Sequence, residues 1–125
     1  MHNSTKKRKI YLASRYENRF RLRPFHEYLK AIGHTLTSTW IFRDEPTPAA
    51  TAQKDLDAID EADTIVVWVD PVGRGHFVEY GYAIAKGLDV FVVSKNKSEC
   101  IFLQLQRPQI TYVDDWGAML DILEK

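Results

Sequence analysis

Residues 64–94 read TIVVWVDPVGRGHFVEYGYAIAKGLDVFVVS. The stretch opens and closes on β-branched runs, "TIVVWVD" (64–70) and "DVFVVS" (89–94), that are continuously apolar instead of alternating. Strands covered on both faces have that composition. Between them the spacing predicts a helix from about His76 to Lys86, stopped by Gly87. Strand, helix and strand at this interval form a βαβ unit, whose two strands must be parallel and whose crossover is right-handed.

The same alternation continues outward. "KIYLAS" (9–14), "HTLTSTWI" (34–41) and "ITYVDD" (110–115) are three further strand candidates. Phe25, Tyr28, Leu29 and Ile32 have the i, i+3, i+4, i+7 spacing of an amphipathic helix, with Pro24 opening or kinking it and Gly33 as its stop. Thr47 and Pro48 read as an N-cap and first helical residue, launching a helix that runs to about Ala62. A weaker helix is expected over Ser98–Gln106 before Pro108, and a last one over Trp116–Leu123. The fold expected is α/β: a three-layer α/β/α sandwich around a flavodoxin-like, five-stranded parallel sheet. Residues 9–125 form one domain in this reading, preceded by a disordered basic arm over residues 1–8.

Lys plus Arg and Asp plus Glu number 17 each, so no overall field recruits nucleic acid or a membrane, and the expected partner is a small molecule. Lys6, Lys7, Arg8 and Lys9 read as a solvated arm. Cys100 is the only cysteine, which excludes an internal disulfide and suits a reducing, cytoplasmic setting. The longest apolar run, Ile65–Val69, is far short of the roughly 20 residues of a membrane span. His2, His26, His34 and His76 lack ligand spacing, so no metal is expected, and no cofactor is implied.

In open parallel sheets ligands bind outside the C-terminal strand ends, where strand order reverses. Glu79 falls above that crevice, in what should be the first turn of its helix, where an acid also serves the helix dipole. Gly73, Gly75 and Gly81 around it suggest close backbone or ligand approach, which capping does not require. A dinucleotide fingerprint fails, because Val78 stands where its third glycine belongs and the loop follows the third strand, not the first. Asp55 shares a helix face with Ala52, Leu56 and Ile59; an acid beside an apolar stripe is either paired, with Arg15 or Arg43 within reach in sequence, or used in chemistry. Two carboxylates at one crevice fit glycosidic-bond chemistry.

"KIYLAS", "DLDAIDEADTIVV" and "GRGHFVEYGYAIAKGLDVFVV", in that order, resemble the nucleoside 2-deoxyribosyltransferase family and its nucleotide N-glycosidase relatives over about residues 9–94. The resemblance implies that Glu79, in the "E-x-G-x-A" segment, is a nucleophile forming a covalent glycosyl ester. It implies that Tyr11 holds this carboxylate, and that Asp55 protonates or orients the leaving base. Helix N–H groups are expected to keep Glu79 ionised. Substrate-binding candidates are Arg15, Trp40 as a stacking face, Asp70 for sugar hydroxyls, and Gly73, Arg74, Gly75 and His76 in the loop. Gly73 occupies the place of the serine that phosphate-preferring relatives carry, and the longer C-terminal tail of true transferases is absent, so transfer and hydrolysis both stay open. The family likeness also implies a nucleoside or nucleotide substrate and a homodimer or higher homo-oligomer. The alternatives are an N-glycosidase of another nucleotide or dinucleotide, or a non-catalytic nucleotide sensor.

Overall fold

β3 (Thr64–Trp68) and β4 (Asp89–Val93) pair in parallel from Thr64↔Asp89 to Trp68↔Val93, in a computed structural model that describes residues 6–43, 49–69, 75–95 and 101–124. Their side chains are sealed: Ile65, Val66, Val67 and Val90 have no exposed surface. The continuous apolar composition therefore reflects burial on both faces. β1 (Lys9–Ala13) lies on the other side of β3, with Tyr11 opposite Ile65. The sheet order is β2-β1-β3-β4-β5, all parallel, with β2 (Thr35–Leu36) and β5 (Ile110–Val113) at the edges. This is the flavodoxin-like order expected, with its reversal between β1 and β3.

Helices cover both faces. α1 (Arg19–Ala31) and α4 (Trp116–Leu123) share one, joined by the stacked rings of Phe25 and Trp116 at 4.2 Å and by the Tyr28 hydroxyl, which donates to Glu124 at 2.7 Å. α2 (Ala49–Asp60) and α3 (Gly75–Ala85) share the other, where the Tyr82 hydroxyl donates to Asp60 at 2.7 Å and Lys86 adds an ion pair. Asp115 caps α4, accepting from the Ala118 N–H. α1 and α3 end as the sequence predicts. Gly33 (φ 107°) and Gly87 (φ 82°) take the left-handed conformation, and the His34 and Leu88 N–H groups reach back to Leu29 and Ala83.

Some boundaries differ. α1 begins before Pro24, which sits exposed inside the helix and withholds one N–H from it. Of the strand expected over 34–41, only Thr35 and Leu36 pair, because side chains replace the ladder beyond them. Ser38 Oγ accepts from the Leu12 N–H at 3.2 Å and the Trp40 indole donates to the Leu12 carbonyl at 2.7 Å. With β1 satisfied in this way, the chain turns into a 3-10 segment, Trp40–Phe42. A 3-10 turn, Ile101–Gln104, stands in the expected 98–106 helix. The Thr47–Pro48 cap lies outside the described residues. The basic arm is tied down at its end: Lys7 Nζ donates to the Ile32 carbonyl, and Arg8 Nη1 lies 3.0 Å from both Thr64 Oγ1 and Asp89 Oδ2. Among the described residues no helix is long and apolar enough to cross a membrane.

Candidate active site

The crevice floor is built where β1 and β3 end. Ser14 Oγ donates to the Trp68 carbonyl at 2.7 Å and accepts from Asn18 Nδ2 at 2.8 Å, fixing the two strand ends to each other. Neither Ser14 nor Asn18 stood out in the sequence, since short polar residues after a strand are ordinary turn formers.

Tyr11, fully buried in β1, extends from the sheet to α3, and its hydroxyl donates to Glu79 Oε2 at 2.5 Å. One carboxylate oxygen is thereby held in place by the strand. Glu79 lies one residue further into α3 than the sequence suggested, just past the first turn, since the helix begins at Gly75. The dipole acts mainly over the first turn, and here burial outweighs it. Desolvation pushes the Glu79 carboxyl up to about 7, with the negative charge of Asp55 adding to the rise and the Tyr11 hydrogen bond and Arg43 opposing it. The expectation that helix N–H groups keep Glu79 firmly ionised is therefore corrected. The Tyr11 hydroxyl is raised far above the ordinary tyrosine range, first by burial and then by Glu79, so it remains a proton donor.

Asp55 resolves the choice between partners in favour of Arg43: Nη2 and Oδ1 are 2.5 Å apart, and both side chains are largely enclosed. Burial raises the Asp55 carboxyl above its usual value while Arg43 pulls it down. The apolar stripe assigned to α2 is narrower than expected, with Ile59 buried, Leu56 half-buried and Ala52 exposed. Tyr11, Glu79, Asp55 and Arg43 thus form one electrostatic group drawn from β1, α3, α2 and the turn after β2. Arg43 was not singled out as a site residue; its only signal was its place after the second strand, with an acid on the following helix.

The other candidates scatter. His76 is 1 % exposed, its two ring nitrogens have no partner among the described residues, and burial, reinforced by the charge of Arg15, pushes it down to about 4. It is a neutral imidazole with both hydrogen-bonding positions unused. Arg15 pairs with Glu17 at 3.1 Å. Trp40 is buried at 5 % exposure and bonded to Leu12, a packing position and not an open stacking face. Gly81 is exposed, and a Cβ there meets nothing within 4 Å, so no close approach explains it. Asp70, Gly73 and Arg74 lie outside the described residues, and Gly75 is the first residue of α3.

A parallel sheet of order 2-1-3-4-5 with a buried tyrosine–glutamate pair at its crevice defines a class of α/β protein with a carboxylate-based site. Residues 10–121 match the family model described as nucleoside 2-deoxyribosyltransferase, and the chain belongs to that family. No curated protein matches it in sequence. Among solved structures it is similar to the CMP N-glycosidase BcmB of Clostridium botulinum, with a TM-score of 0.70 at 20% identity over 91% of this chain and 98% of that one. At that identity the likeness is one of fold.

Proposed function

We propose that this protein cleaves or transfers the N-glycosidic bond of a nucleoside or nucleotide, with Glu79 as the nucleophile. The observation that carries this reading is the 2.5 Å hydrogen bond from Tyr11 to Glu79 inside the group completed by Asp55 and Arg43. In its ionised form the free Glu79 oxygen attacks the anomeric carbon. The carbon–nitrogen bond breaks, its electron pair leaves with the base, and a proton taken up by that base from solvent water completes departure. Water, or the nitrogen of a second base, then attacks the same carbon and releases the carboxylate. Tyr11 holds the nucleophile and Asp55 orients the leaving base, while His76 at the head of α3 and Arg15 after β1, whose charge acts on it, are candidates to contact the rest of the substrate. Family membership supports the reaction class, and the CMP-cleaving fold neighbour argues for including a ribonucleotide among the substrates tried.

The test is chromatographic detection of free base from deoxyribonucleosides, ribonucleosides and their 5′-monophosphates, with and without an acceptor base. Release or exchange is expected with at least one of these and should vanish in Glu79→Ala. Intact-protein mass spectrometry with a slow 2′-fluoro substrate should show a glycosyl adduct on Glu79. A folded protein inert to the whole panel leaves a nucleotide-binding module as the reading.

A further inference from the structure

Arg43 is held more firmly than a surface arginine needs to be. Its carbonyl accepts from the Tyr16 hydroxyl at 2.7 Å and its N–H donates back to the Trp40 carbonyl. The 3-10 segment before it is pinned to β1 through Trp40 and to α1 through Arg23 Nε, which donates to the Ile41 carbonyl at 3.1 Å. From this fixed backbone the guanidinium reaches Asp55, with 22% of the arginine side chain and 17% of the aspartate side chain exposed. The backbone is thus fixed on both sides of the residue, and the side chain is anchored through Nη2.

We propose that Arg43 is the positioning residue of this site: it clamps Asp55 in the ionised state beside Glu79, so that the exchangeable proton of the cluster resides on the Glu79–Tyr11 pair. The inference rests on the glycosidic reading above. The charged and titratable groups acting on Glu79 are Tyr11 from β1, Asp55 from α2 and Arg43 itself; Asp55 faces Arg43, its hydrogen-bonded partner, and feels the charge of Glu79 in return. Two neighbouring carboxyls in a partly desolvated site ordinarily share a proton without a fixed owner. A guanidinium bonded to one of them removes that ambiguity, because the paired carboxyl gains a direct hydrogen bond as well as the attraction of the cation, and the other feels the cation's charge alone. Asp55 is then available as an acceptor toward a donor group on the substrate, and Glu79 is the group whose ionisation gates attack.

The test is carbon-detected NMR titration of the Glu79 and Asp55 carboxyls in the ligand-free, full-length protein, with signals assigned through Glu79→Gln and Asp55→Asn. In Arg43→Met both midpoints should move up, Asp55 first and by roughly one pH unit or more. Arg43→Lys should restore the Asp55 midpoint only in part, and the low-pH limb of base release should follow the Glu79 midpoint across the series. Unmoved midpoints in a folded Arg43→Met protein overturn the proposal. If that variant does not fold, Arg43→Lys decides: a point charge without the fork should still leave Asp55 titrating above wild type, and a wild-type midpoint overturns it. Because the midpoints require no turnover, a protein with shifting midpoints and no base release sinks the glycosidic reading alone.

Discussion

The Tyr11 hydroxyl and Glu79 Oε2 are 2.5 Å apart although β1 and α3 are separated by most of a domain's sequence, so the strand sets the orientation of the helix-borne acid. This bond opposes the burial that raises Glu79. Tyr11→Phe keeps the ring and removes the donor. The Glu79 carboxyl should then climb above about 7, and the low-pH limb of base release should move to higher pH. Each unit of displacement corresponds to roughly tenfold less ionised nucleophile on the acidic side. A pH–rate profile checks this, and an unmoved limb with a uniformly lower rate assigns Tyr11 to packing alone.

Glu79 also makes folding pH-dependent. Its carboxyl rises from an ordinary 4.5 to about 7 in the folded protein, so between these values the folded state holds the extra proton. The sign follows directly: stability is full below pH 4.5 and falls as pH rises through about 7. A shift of this size amounts to roughly 3 kcal/mol at alkaline pH. Glu79→Gln, neutral at every pH, should be inactive yet melt higher than wild type at pH 8, with the gap closing toward pH 5. Thermal denaturation at the two pH values decides it, and a pH-independent gap removes the link to ionisation.

The sheet was legible because covered strands announce themselves: 64–70 and 89–94 are apolar on both faces, and Gly33 and Gly87 mark helix ends that only a residue tolerant of positive φ takes easily. The second strand misled, since "HTLTSTWI" has strand composition, yet Ser38 and Trp40 bond the β1 backbone through their side chains and end the pairing after Leu36. At the site, Glu79 was visible from its place above the strand-end crevice and Tyr11 through the family likeness, and their contact is a matter of register that spacing cannot supply. The charge state of Glu79 was misread because position along a helix was weighed without burial. Arg43 was visible only as one of two candidate partners for Asp55, because what holds it is a backbone fixed by Tyr16 and Trp40, two residues whose bonds no one-dimensional pattern displays.

His76 separates binding from structure. A buried polar group without partners costs the fold about 1–3 kcal/mol, and this imidazole, at 1 % exposure, has both nitrogens unpaired among the described residues. His76→Leu should therefore leave stability unchanged or improve it. Its folded value of about 4, against an ordinary 6.5, means that wild type loses stability as pH falls through this window, and the variant should lose less. If His76 meets substrate, KM rises in the stable variant; unchanged KM with improved stability makes the residue a packing compromise.

Gly81 offers the converse case. It lies within α3 without positive φ, is exposed, and has nothing within 4 Å of where a Cβ would stand. Glycine in a helix interior is roughly 1 kcal/mol worse than alanine, because it gives up more backbone freedom on folding. Gly81→Ala should accordingly raise stability by about 0.5–1 kcal/mol in denaturant unfolding, with an unchanged slope. The position is two residues past Glu79, so base release is measured alongside. A more stable protein with full turnover makes the glycine incidental. A more stable protein that has lost turnover shows that the open space beside the helix is occupied during the reaction, and that the added methyl stands where substrate or a second copy of the chain must come.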